Sequence, residues 1–371
     1  MAQTQVEDVW PLAPLQEGLL FHAAYDEDAD RDVYVGQRVL NLEGPLAVDV
    51  FRASWQALLD RHASLRAGFH HRASGDAVQV IAKQVTLPWR YEDVSALPPE
   101  EAEAEAARLA DEDRRRFDLA VPPLLRLLLI ELGPGRFRLV VTMHHILMDG
   151  WSLPVLFGEL WAVYRDGGDS SSLPPVTPYR DYLAWLVRQD KDAARAAWRN
   201  MFADVTEPTL VGPADRGGPP VMLQHVITEA GEELAGGLRE LARGQGVTLN
   251  TVVQGAWGLL VGKLSGKSDV VFGATVSGRP AELPGVERML GLFINTVPVR
   301  VRLNPASSFT SVVADLRAQQ TALLDAQYLG LTDIQRTVGP GASFDTLMVF
   351  QNYPRGPASQ PRVGPPPAEG A

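Results

Sequence analysis

The 371-residue sequence has no cysteine, which rules out a disulfide framework, a thiolate nucleophile and a thiolate metal site. It has no basic excess either. Lys and Arg number 34 against 45 Asp and Glu, a formal net charge of -11. Phosphate binding needs clustered Lys and Arg, so nucleic acid is excluded as the main partner. Long apolar runs are also missing. The most apolar stretch, VPPLLRLLLIEL at 121–132, is about half of the ~20 residues needed to span a bilayer, and Arg126 sits inside it. It reads as a buried strand or helix. The opening MAQTQVEDVW lacks the basic n-region and apolar core of a signal peptide. A soluble, cytoplasmic protein with no membrane partner is the expectation.

What is present is a globular balance, with 46% hydrophobic and 21% charged residues. The length exceeds the usual size of one hydrophobic core, so two lobes are expected. Residues 32–44 read as a strand ending at Gly44-Pro45. Residues 48–69 carry a helical stripe: Val50, Phe51, Trp55, Leu58 and Leu59 recur at three- and four-residue spacing. HHRASGDAVQVIA suggests a hairpin around Ser74-Gly75-Asp76. From Pro98 to Arg116 the chain suits a helix, acidic early and basic late. FRLVVTMHH (137–145) is the clearest strand, followed by a turn at Asp149-Gly150 and a helix from Ser152 to Tyr164. A Pro-rich linker spans 167–178, then a helical tract runs from 179 to 202. After the loop PADRGGPP come a strand at 221–228, a Gly-studded helix at 248–266, and strands in DVVFGATVSG and LFINTVPVRVRL. Helices alternate with strands throughout, which gives a mixed α/β (α+β) class. The tail, 355–371, has almost nothing to bury and is expected to be disordered.

The chemistry concentrates in MHHILMDGWS, residues 143–152. Side chains alternate along a strand, so His144 and His145 point in opposite directions, one inward and one outward. A strand end followed by a tight turn presents one side chain at an opening. Gly150 allows an unusual dihedral or a close approach to a ligand. Asp149 can brace the turn, and if buried it needs a cationic or hydrogen-bonding partner. A metal site is disfavoured because adjacent strand histidines diverge. On spacing alone, a His-His dipeptide is more often incidental than catalytic.

HHILMDGWS resembles the HHxxxDG signature of the condensation-domain superfamily, relatives of chloramphenicol acetyltransferase. Six further segments resemble the family's motifs in order: WPLAPLQEGLLFH (10–22), RHASLRAGF (61–69), YRDYLAW (179–185), GLFINTVPVR (291–300), DAQYLGLTDIQ (325–335) and SFDTLMVFQNYP (343–354). The resemblance covers residues 6 to 354. It implies two acetyltransferase-like lobes, 1–170 and 171–354, in a V-shaped pseudodimer with a central tunnel. It also implies a non-ribosomal peptide synthetase domain that forms a peptide bond between two carrier-bound aminoacyl groups. His145 takes the central position, with His144, Gly150, Trp151 and Ser152 as its supporting motif. Asp149 becomes a structural residue paired with an arginine, Arg279 as first candidate and Arg66 as second. No intrinsic cofactor or metal is implied. The substrates arrive on the phosphopantetheine arms of an upstream donor and a downstream acceptor carrier protein, with an adenylation domain adjacent in the parent synthetase. His145 has three open roles: accepting a proton, holding the attacking amine, or stabilising the oxyanion. No acyl-enzyme is expected, since there is no Cys and no GxSxG elbow.

Two segments invite a different reading. HHRASGD (70–76) is similar to the HHxxxxGD element of dual condensation/epimerisation domains, but its spacing is one residue short, and it reads as a solvated turn. The acidic DEDADRD (26–32) lacks the Gly and Glu of a calcium loop and reads as a charged loop. The flavour of the motifs is similar to the branch taking a D-configured donor and an L-configured acceptor. The chain passes from its last motif into the Pro-rich tail where the family pattern continues, so the second lobe is expected to be shortened and the chain to be excised from a larger synthetase. The alternatives are an epimerisation domain and a non-catalytic carrier-docking module.

Overall fold

The computed structural model describes residues 5–25, 32–212 and 224–351. The chain divides into two compact units. The first comprises the chain up to Gln189 with Arg279–Phe293, the second Asp190–Gly278 with Ile294–Gln351.

In the first unit the order is β1 (Val6–Pro11), α1 (Pro14–Tyr25), β2 (Val35–Glu43), α2 (Val48–Arg61), β3 (Ala67–His71), β4 (Ala77–Ala82), β5 (Trp89–Asp93), α3 (Pro99–Glu112), β6 (Leu125–Gly133), β7 (Arg136–His144), α4 (Ser152–Arg165) and α5 (Tyr179–Val187). A four-stranded sheet runs β2-β7-β6-β5, and a three-stranded sheet runs β1-β4-β3. The apolar run at 121–132 supplies β6, which is inside the larger sheet and so needs apolar side chains on both faces. On one of those faces Leu128 and Ile130 meet Ala102, Ala106 and Leu109 of α3, residues at helical spacing. Arg126 in this run is explained by its surroundings. Its guanidinium donates to the Asp113 and Arg115 carbonyls at the end of α3, where the helix dipole favours a cation, and lies 4.0 Å from the Phe117 ring centroid. The stripe expected on α2 is inward: Phe51, Trp55, Leu58 and Leu59 are buried, and the Phe51 ring meets Tyr164 of α4 edge-on at 5.7 Å.

The second unit contains α6 (Lys191–Met201), α7 (Glu232–Gln245), α8 (Leu249–Ser265), β8 (Asp269–Val276), β9 (Asn295–Arg302), α9 (Phe309–Ala322), α10 (Leu331–Val338) and β10 (Leu347–Met348), with the sheet order β10-β8-β9. Strand β8 sends Val270, Phe272 and Ala274 toward Val261 of α8 and Leu316 of α9, and Val271 toward Trp198 and Phe202. The glycines of α8 make room for the strand segment beside it: a Cβ at Gly258 or Gly262 would stand 2.7 Å from Val301 or 2.2 Å from Leu303.

Three expectations need correction. The helix read over 48–69 stops at Arg61, where His62 turns extended, and Ala67–His71 is strand β3. Those residues face a sheet partner, and tertiary pairing overrides the helical spacing. The tract at 179–202 is two helices, because the Asp190 carboxylate caps the second by accepting from the Asp192 and Ala193 N–H groups at 3.0 Å. Residues 224–228 carry no strand. The PADRGGPP loop and the Pro-rich tail at 355–371 lie outside the described residues, as does most of the acidic 26–32 segment.

Candidate active site

Strand β7 places the two histidines. It pairs with β2 in a register that sets His144 opposite Val35 and Met143 opposite Gly36. The strand ends at His144, and the His145 N–H donates to the Tyr34 carbonyl at 2.9 Å. The two side chains part as alternation demands: His144 is fully buried, and His145 is exposed.

The tautomer of His144 follows from its partners. Its Nδ1 accepts the Ile146 N–H at 3.1 Å, so the ring proton sits on Nε2, which faces the Asp32 carboxylate at 3.1 Å. Burial works against ionisation of Asp32, but the hydrogen bonds from His144 and the Tyr34 N–H and the charge of Arg116 together outweigh it. Its carboxyl is held below the usual range. Asp32 closes the acidic segment read above as a charged loop, so sequence reasoning missed it. No motif links it to His144; only the β2–β7 pairing brings them together.

No hydrogen bond reaches the His145 ring nitrogens among the described residues. The residue is exposed, but surrounding protein atoms remove part of the ring's hydration. This desolvation, with the charge of Arg38, lowers its pKa from the ordinary histidine value, and Asp32 only partly opposes the effect. His145 is therefore a neutral imidazole at pH 7, with one nitrogen free to accept a proton.

Asp149 sits on the other side of the turn, its side chain fully buried. Its Oδ1 accepts the Ser152 N–H at 3.0 Å and Arg279 Nη2 at 3.2 Å, and its Oδ2 accepts the Phe293 N–H at 3.1 Å. The Ser152 hydroxyl lies 3.0 Å from Asp149 Oδ1 and 2.9 Å from the Gly291 carbonyl, its single proton serving either. It accepts from Arg279 Nη2 at 3.1 Å and from the Gly291 N–H at 3.2 Å. The Asp149 N–H returns to the Gly291 carbonyl at 3.1 Å. The Arg279 guanidinium also donates to the Val286 and Met289 carbonyls and lies 3.8 Å from the Phe293 ring centroid. Tyr179 ties in the segment at 179–185 by donating to the Leu292 carbonyl at 2.6 Å. Its ring packs so tightly on Gly291 that a Cβ there would stand 2.2 Å away. Three separate sequence segments and Arg279 thus meet in one knot.

Of the two arginines offered as partners, Arg279 reaches Asp149. Arg66 does not. It is buried elsewhere, donating to the Leu59, Asp60 and Ala82 carbonyls and to Glu7, where it ties the end of α2 to β1 and β4. Trp151 stands half-buried at the N-terminal end of α4. Gly150 does not take a positive φ, so an unusual dihedral of that kind is not its role. Residues 72–76 form an exposed turn, matching the solvated reading. Among the described residues, no group of three or more His, Asp or Glu is placed to hold a metal ion, and no helix is long and apolar enough to cross a membrane.

The knot and the histidine pair can be compared with known proteins. The chain is 41% identical to a linear gramicidin synthase of Brevibacillus parabrevis over 95% of its length, and 34% identical to bacitracin synthase 3 of Bacillus licheniformis over 94%. It spans 7% and 6% of those much longer proteins. Among solved structures, the first condensation domain of the calcium-dependent antibiotic synthetase superimposes with a TM-score of 0.73 at 24% identity, covering 93% of this chain and 82% of that one. This likeness carries the fold, the mixed α/β chloramphenicol-acetyltransferase-like type. The family model described as Condensation domain matches residues 6–361. With a match of that extent, the chain belongs to the condensation domains of non-ribosomal peptide synthetases, the acyltransferases that form the amide bonds of non-ribosomal peptides.

Proposed function

We propose that this chain joins a donor aminoacyl or peptidyl thioester to the α-amine of an acceptor aminoacyl thioester, with His145 at the reaction centre and a D-configured donor preferred. The observation that carries this reading is the state of His145: exposed, neutral, and without a hydrogen-bond partner on its ring among the described residues. The acceptor nitrogen attacks the thioester carbonyl carbon, the C–N bond forms, and the C–S bond breaks. The proton lost by nitrogen ends on the departing thiol, and a neutral imidazole can take it from one atom and return it to the other. Asp149 and Arg279 hold the turn beneath the histidine and do not touch the reacting atoms. The substrates reach the site on phosphopantetheine arms of an upstream and a downstream carrier protein, with an adenylation domain beside this one in the parent synthetase. The chain supplies no cofactor of its own.

Two carrier proteins loaded with aminoacyl groups, with D- and L-donors run separately, test the reading by intact-protein mass spectrometry. A dipeptidyl acceptor carrier that forms faster from the D-donor is expected. Donor α-proton exchange without amide formation would indicate an epimerisation domain. Carrier binding with neither reaction would indicate a docking module.

The pH profile gives a second expectation. An α-amine titrates near ~8, so the logarithm of the single-turnover rate rises with slope one below that pH. Below the His145 pKa, which lies under the usual ~6.5, protonation of the base adds a second unit of slope. Arg38 is one of the charges that disfavour imidazolium, so Arg38→Gln moves this break to higher pH. A break at the same pH in both proteins would remove Arg38 from the account.

A further inference from the structure

We propose that Gly36 is a positioning residue for His145: by lacking a side chain, it lets the imidazole lie directly against strand β2 and so sets where Nε2 stands. The proposal rests on the reading of His145 as the reaction centre.

A Cβ built on Gly36 would stand 2.8 Å from His145 Nε2, 2.9 Å from Cε1 and 3.6 Å from Cδ2. The whole Nε2 edge of the ring therefore covers the α-carbon of this glycine. Backbone conformation does not require glycine here, because Gly36 is not among the glycines with positive φ. It lies near the start of β2, paired opposite Met143, a position where glycine weakens a strand and side chains are ordinarily favoured. Close approach of another group is one of the standing reasons for glycine in a strand, and the group approaching here is the His145 ring. No hydrogen bond from the described residues holds that ring. Packing against β2 is then the constraint that selects its rotamer, acting together with the backbone bond from the His145 N–H to the Tyr34 carbonyl.

The consequence runs against the usual link between stability and activity. An alanine at 36 suits a strand at least as well as glycine, so the fold is retained. The ring, however, must shift by about 0.6 Å to restore an ordinary contact of 3.4 Å. Misplacement on the order of 1 Å can cost ~100-fold in rate. Gly36→Ala is expected to slow single-turnover amide formation about 10- to 100-fold, and Gly36→Val to slow it further. The acceptor-carrier concentration giving half the limiting rate should stay unchanged, and the melting temperature should be equal or higher.

The deciding comparison is the same substitution in a His145→Ala background. If Gly36 acts through the imidazole, Gly36→Ala adds no further slowing there. Equal slowing in both backgrounds would mean that the new methyl obstructs the substrate and would overturn the proposal, as would an unchanged rate in the otherwise native protein. Imidazole resonances of His145 in the folded Gly36→Ala protein give a readout independent of turnover. Shifted ring signals are expected, and unshifted signals overturn the seat. If His145→Ala itself forms amide at the native rate, the assignment of His145 as reaction centre fails, and the resonances alone still decide whether glycine seats the ring.

Discussion

Asp149→Ala is expected to destabilise the first unit by about 3–5 kcal/mol, read as a lower urea midpoint, because removing one member of a buried ion pair leaves the other uncompensated. The stranded partner is Arg279, whose side chain is only 9% exposed. It keeps its bonds to the Val286 and Met289 carbonyls and its place over the Phe293 ring but loses its counter-charge. One backbone donor loses its acceptor as well, the Phe293 N–H, whereas the Ser152 N–H keeps the Asp149 main-chain carbonyl at 3.2 Å. Leaving a buried donor unsatisfied costs ~1–3 kcal/mol, and the chain can relax part of this away. Asp149→Asn separates the two effects. It preserves the shape and one carbonyl acceptor but gives up the charge, so its midpoint should fall between those of Asp149→Ala and the native protein. An unchanged midpoint in Asp149→Ala would mean that the knot does not hold the turn.

The turn, the strand before it and the helix after it were legible in the sequence because each has a local signal. FRLVVTMHH is a short, mostly apolar run with β-branched residues, Asp149-Gly150 is a turn pair, and the residues after Ser152 have helical spacing. The division of the histidine pair into a buried and an exposed member followed from strand periodicity alone. Arg279 could be offered as a partner only through resemblance, since its contact with Asp149 spans 130 positions and leaves no trace in spacing. Arg66, the second candidate, is taken up instead by the Leu59 and Asp60 carbonyls at the end of α2, by the Ala82 carbonyl and by Glu7. Asp32 and Gly36 were not singled out because their roles depend on the β2–β7 register. Helix α7 was missed for another reason. It buries little, with Ala242 its buried residue and Leu234 exposed, so its apolar stripe is faint, and the left-handed Gly246 that caps it is the clearest local mark.

His145→Ala is expected to slow amide formation by about 10²–10⁴-fold, the usual worth of a positioned acid–base group. The thioester is already activated, so some residual reaction from bringing the two arms together should persist. Folding should be little affected, because the ring is exposed and takes no hydrogen bond from the described residues. This separates His145 from its neighbour. The His144 ring is buried, its Nδ1 engaged by the Ile146 N–H and its Nε2 by Asp32, so it has no nitrogen left to offer a substrate. Loss of His145 should therefore appear in the rate with the unfolding midpoint preserved, and loss of Asp149 chiefly in the midpoint.

The most direct test of the central claim is single-turnover dipeptide formation by the native chain and by His145→Ala, with both carriers loaded and both proteins shown to be folded. A dipeptidyl acceptor carrier that accumulates with the native chain, and at least ~100-fold more slowly with the variant, is the predicted result. A variant that makes the dipeptide at the native rate, or a folded native chain that makes none, would contradict it.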